Sequence, residues 1–170
     1  MGSQRADFAD FYREVKDECL VTVLVSVGDR EAAEDLVAEA FARAWASWRT
    51  VSGHPAPAAW VVRTALNAGV SRWRGRRREV PVPDLAAVAD RPAAGGDAGT
   101  SVDPRIMAAL LRLPARQRQV VALRLLLDLD TAGTAQVLGI APGTVQAHLG
   151  RALAALRGDL IAIGQKESQT

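Results

Sequence analysis

Apolar positions recur at three- and four-residue spacing through most of this chain, a period that predicts helices. Phe8, Phe11, Tyr12, Val15, Cys19, Leu20, Val23, Leu24 and Val27 trace the first stripe, and Gly28 ends it. Asp29 is placed to cap a second helix, whose stripe runs Ala33, Leu36, Val37, Ala40, Phe41, Ala44, Trp45 and Trp48. Its other face carries Glu34, Asp35, Glu39 and Arg43. Residues 51–57 read as a loop with two prolines. A third helix starts near Pro57 and turns Trp60, Val61, Thr64, Ala65 and Ala68 toward a core, so Trp45, Trp48 and Trp60 are all expected inside.

The pattern lapses over residues 80–103, where Pro, Gly and scattered Asp replace the period. So long a stretch without elements predicts a flexible linker between two small helical domains, residues 1–79 and 104–165. Asp103-Pro104 supplies a cap and a first helical position for the second domain. Ile106, Met107, Leu110 and Leu111 form one apolar face. A helix over about 115–127 buries Val120, Val121, Leu123 and Leu125 behind arginines. Helices at 131–138 and from Pro142 to about Ile161 complete an all-α chain.

The last two helices form the most informative motif. Gly139 suits the positive φ of a tight turn, and Pro142 suits a helix start. Val145, Leu149, Ala152 and Leu156 bury one face, while Thr144, Gln146, His148 and Arg151 point elsewhere. A short helix, a glycine turn and a second helix with a free polar face can enter a DNA major groove. The same pattern also fits a corner used only for packing.

Charge adds a second theme. The net charge is only +2, with 21 basic and 19 acidic residues, which argues against a nonspecific nucleic-acid coat. The distribution is uneven: Asp29, Glu31, Glu34, Asp35 and Glu39 cluster on the second helix, whereas residues 63–78 and 105–124 carry arginines and no acid. One acidic and two basic faces imply at least two kinds of partner. The lone Cys19 excludes an intrachain disulfide and reads as core. His54 and His148 are far apart with no partners at ligand spacing, so neither a metal site nor a cofactor is expected. No segment reads as a membrane span or signal peptide, and a cytoplasmic setting is expected. Paired carboxylates, a nucleophile triad and a phosphate-cradling loop are not found, so no enzymatic activity is expected.

Three segments together resemble the extracytoplasmic-function sigma factors, the small two-domain specificity subunits of bacterial RNA polymerase. They are Ala33 to Trp45, Ala59 to Asn67 with Arg72–Arg78, and Leu113 to Val121 with the helix-turn-helix. The resemblance implies that Asp35 and Glu39, four apart on one face, dock on the polymerase clamp. It also implies that the second domain meets the polymerase flap. Asn67, Arg72, Trp73, Arg74, Arg76 and Arg77 fall where the family opens and reads the minus-ten promoter element; Trp73 also fits simple helix-end packing. Arg124, Thr144, Gln146, Ala147, Gly150 and Arg151 fall where it meets the minus-thirty-five duplex.

Several positions depart from the family pattern: Gly133 where an acid is usual, Thr134 where Ile is usual, and Gln146 and His148 where basic residues are common. A weaker or unusual minus-thirty-five preference follows. The resemblance makes core RNA polymerase and promoter DNA the partners and admits an anti-sigma factor as a regulator. The chain's length leaves no expected room for a C-terminal sensory domain. A standalone helix-turn-helix regulator that binds duplex DNA as a dimer explains residues 104–160 alone, and a helical adaptor that binds only protein is a third reading.

Overall fold

The computed structural model describes the backbone of residues 2–79 and 102–167, and side chains within 4–72, 102–159 and at 161. Nearly all of the proposed linker, 80–101, lies outside the described residues, as do the side chains of Trp73, Arg74, Arg76 and Arg77. The described residues form helices α1 (Gly2–Val27), α2 (Arg30–Ala46), α3 (Trp48–Val51), α4 (Pro57–Glu79), α5 (Pro104–Arg112), α6 (Ala115–Val121), α7 (Thr131–Leu138) and α8 (Pro142–Glu167). A π-helical turn, Ala122–Leu126, continues α6.

Local chemistry sets the boundaries. Gly28 adopts φ 76° between α1 and α2, a conformation that costs most other residues about 1–2 kcal/mol. The Asp29 carboxylate accepts from the Ala32 amide at 2.8 Å, and Asp103 accepts from Arg105 at 2.7 Å, so both predicted caps form. Gly139 ends α7 at φ 64° and ψ 39°. Ser47 interrupts α2 and starts the short α3, which falls partly in the predicted 51–57 loop yet keeps Trp48 buried.

Helices α1, α2 and α4 pack as a front lobe around Val23, Leu36, Ala40, Phe41, Trp48, Val61 and Val62. In the back lobe, Val120, Ala135 and Val145 join the helix-turn-helix. The lobes do not stand apart. Leu123, Leu127 and Val137 of the back lobe lie in the same buried cluster as Cys19, Val23 and Val62. Val21 and Val25, on another face of α1, pack with Leu110, Leu113, Val121 and Ala122. Helix α1 touches α5, α6 and the π-helical turn, and α4 touches α7.

Polar groups are buried as well. Thr22, Ser26 and Thr134 are buried, and the hydroxyls of Thr22 and Thr134 have no hydrogen-bond partner among the described residues. Arg118 spans the lobes: its Nη1 donates to the Leu111 and Leu113 carbonyls at 3.2 Å each, and Nη2 lies beside Gly28. Burial of this guanidinium lowers its pKa. Unpaired buried hydroxyls cost about 1–3 kcal/mol each, so these two threonines oppose the apolar packing around them.

Four expected core residues lie elsewhere. Trp45 is 43% exposed, lying at the edge of the front lobe with one side of its ring against Phe8 of α1 at 5.1 Å between centroids. Tyr12 is 42% exposed and lays its ring edge-on against Phe41, with centroids 4.9 Å apart. Leu125 is 58% exposed because the π-helical turn adds a residue and rotates it outward. Ile106, at the first turn of α5, is also exposed. Trp60 is partly buried against the core. Cys19 is fully buried, and desolvation pushes its thiol up to about 12, which suits packing and not nucleophilic chemistry.

Candidate functional site

Two surfaces gather the residues singled out by sequence. The first lies where α2 meets α4. Close approach is possible there because Gly69 faces Leu36: an added Cβ would stand 3.2 Å from Leu36 Cδ1. Beside this contact is an open groove of about 400 Å³, lined by Glu39, Arg43, Asn67, Ala68, Ser71 and Arg72. Asn67 is exposed on its wall. Glu39 bridges two arginines, accepting from Arg43 at 2.6 Å and from Arg72 at 2.5 Å. Asp35 is one turn away on α2, exposed and without an ion-pair partner among the described residues.

The structure therefore brings together two sets that sequence reasoning kept separate. Glu39 had been linked to a protein partner and Arg72 to DNA, yet their side chains pair directly. The period of α2 could not reveal this, because the partners are 33 positions apart. The pair is exposed, so its net contribution to stability is about 0–1 kcal/mol. Its consequence is orientation: Arg72 is held along the groove.

The second surface is α8. Thr144, Gln146, Ala147, Gly150 and Arg151 are all exposed, so the expected reading face is open to solvent. Gln146 Nε2 donates to Thr131 Oγ1 at 2.8 Å, which ties the face to the start of α7. Two expectations change. His148 is half-buried with Nδ1 enclosed and unpartnered among the described residues, so it does not belong to the free polar face. Arg124 is also half-buried, and its Nη1 donates to the Leu129 carbonyl at the turn before α7. Sequence reasoning missed Arg118 as a bridging residue, reading it only as one of an arginine series; its nearness to Leu113-Pro114, whose preceding carbonyls lack helical partners, was the available signal.

A helix-turn-helix with an open face, coupled to a second helical lobe with a charged groove, defines a DNA-binding protein with an additional contact surface. Residues 11–79 match Sigma-70 region 2, and residues 104–156 match Sigma-70, region 4. The chain is 33% identical over 157 residues to the RNA polymerase sigma-E factor of Streptomyces coelicolor, covering 92% of this chain and 87% of that one. It is 28% identical over 171 residues to the ECF RNA polymerase sigma factor SigW of Bacillus subtilis, covering 94% and 91%. Among solved structures it is similar to the sigma factor RpoE of Bartonella quintana in complex with the anti-sigma factor NepR. That match has a TM-score of 0.66 and 26% identity, and covers 89% and 96% of the two chains, so it includes both lobes.

The chain belongs to the sigma-70 family of RNA polymerase sigma factors, in its extracytoplasmic-function group. It is accordingly a transcription initiation factor. The match of residues 11–79 removes the main support for a standalone helix-turn-helix regulator, which gave the front lobe no role. Among the described residues, no helix is long and apolar enough to cross a membrane.

Proposed function

We propose that the chain docks on the clamp of core RNA polymerase through Asp35 and Glu39 of α2, and uses the adjoining α4 groove at the minus-ten element. The observation that carries this reading is the groove itself, where Glu39, Asn67 and Arg72 share one surface. Displaying an opened strand needs cations for the backbone and a flat amide for an unstacked base. Arg72 and Asn67 are suited to those tasks. Trp73, Arg74, Arg76 and Arg77 continue the same helix and are assigned to the same element from sequence.

Helix α8 is proposed to read the minus-thirty-five duplex through Thr144, Gln146 and Arg151, with Ala147 and Gly150 allowing close approach. Arg124 is assigned a bracing role through Leu129, and a phosphate contact only once that bond is released. The proposed domain limits are 1–79 and 104–165, with 80–103 as a linker. The polymerase carries out catalysis, so the chain needs no active site of its own, and it works in the cytoplasm. An anti-sigma protein is proposed as a regulator because the Bartonella relative was solved with one.

The packed lobes add a requirement. Elements about 25 base pairs apart are separated by about 85 Å of duplex at 3.4 Å per step. A compact chain of this length spans only about 40 Å. The shared core around Leu123 must therefore open before one chain can hold both elements.

Asn67→Ala provides the test at the groove. Promoter opening should fall at least tenfold while initial duplex engagement by the holoenzyme changes less than twofold. Permanganate footprinting measures the first and filter binding the second; normal melting in the variant would contradict the assignment.

A further inference from the structure

Gln146 lies on the exposed face of α8, and its amide has a partner there that favours one orientation. Its Nε2 donates to the Thr131 hydroxyl at 2.8 Å. The backbone that carries Thr131 is set by a cap. Thr131 opens α7 immediately after Asp130, whose carboxylate accepts from the Gly133 amide at 2.6 Å and whose carbonyl accepts from Thr134 at 3.0 Å. The cap therefore sets where the Thr131 hydroxyl is presented, and that hydroxyl is the partner of the glutamine amide.

We infer that Thr131 is a positioning residue for promoter readout, orienting Gln146 so that it selects adenine against guanine in the minus-thirty-five duplex. The inference rests on the proposal that α8 reads that duplex. A glutamine amide has one carbonyl acceptor and two N–H donors. With one hydrogen committed to Thr131, the remaining edge offers one acceptor and one donor. Adenine presents the matching N6 amine and N7 acceptor in the major groove, whereas guanine presents two acceptors, O6 and N7. A freely turning glutamine can direct both N–H groups at guanine; the tethered one cannot do so without giving up the bond to Thr131. Fixing the side chain beforehand also removes part of the rotamer entropy lost on binding.

The experiment uses the full chain with core RNA polymerase on a template library randomised upstream of a fixed minus-ten element, with transcripts sequenced. In the wild type, one upstream position should favour adenine over guanine. Gln146→Ala should erase that preference. Thr131→Val should reduce it about tenfold, within the range of a bidentate contact. Thr131→Ser, which keeps the hydroxyl, should retain it, and Thr131→Val with Gln146→Ala should match Gln146→Ala alone.

The inference is overturned if Thr131→Val keeps the wild-type ratio at the position that Gln146→Ala erases. It is also overturned if Thr131→Val lowers transcript yield evenly without altering any base ratio, since that is a merely structural effect. An upstream preference that Gln146→Ala leaves unchanged at every position overturns it while leaving duplex reading intact. Absence of any upstream preference in the wild type overturns the duplex-reading proposal itself.

Discussion

Reversing Asp35 and Glu39 together to arginine is expected to weaken binding to core RNA polymerase at least a hundredfold while leaving the fold intact. Both residues sit on one face of α2, and neither contributes to the core. Placing like charges across an interface costs several kcal/mol, and each 1.4 kcal/mol is a factor of ten in affinity. The ion pairs lost at Glu39 are exposed, so unfolding stability should change by less than about 1 kcal/mol. The groove adds a specific consequence. An arginine at position 39 faces Arg43 and Arg72, so Arg72 loses its anchor as well. Glu39→Gln alone should weaken polymerase binding less than the double reversal. Co-purification and a titration of labelled chain against core enzyme measure the effect. Unchanged binding by the double variant would remove α2 from the docking surface.

The second large effect is expected at Leu123, which is fully buried where the lobes meet. Leu123→Ala should destabilise the chain by about 2–5 kcal/mol, the usual range for a buried leucine replaced by alanine. For a chain of this size that corresponds to a fall in melting temperature of roughly 5–15 °C. Urea unfolding followed by circular dichroism gives the value directly. The side chain packs in the cluster that includes Val23 and Val62, so the loss should be felt by front-lobe probes such as Trp48 fluorescence. A change confined to the back lobe would show that the two cores are independent in solution.

The helices themselves were legible because their ends are written locally. Gly28, Asp29, Asp103 and Gly139 each act through the next few residues, and each does what its chemistry implies. The reading helix was legible for the same reason, since Val145 and Ala152 are buried while Thr144, Gln146 and Arg151 are exposed. The contact between lobes was not. Helix α1 carries Val21, Val23, Val25 and Val27 close together, so its last two turns have no free polar face. Tracing a single stripe through them accounts for Val23 but leaves Val21 and Val25 without a reason. A helix end whose valines fall on more than one face, with only Thr22 and Ser26 between them, is one covered on more than one side, and Val21 and Val25 indeed meet the back lobe. The pairing of Glu39 with Arg72, the bond from Gln146 to Thr131 and the inward turn of Arg124 depend on three-dimensional neighbours that periodicity does not specify.

The most direct test of the account is run-off transcription with core RNA polymerase, the purified chain and genomic promoter fragments, with start sites sequenced. The expected result is transcripts that require the chain and begin downstream of a shared two-part motif, with the upstream part weakened by Gln146→Ala together with Arg151→Ala, two exposed residues outside the core. Core enzyme that starts no new transcripts when the chain is added, or starts them without any shared upstream sequence, would contradict it.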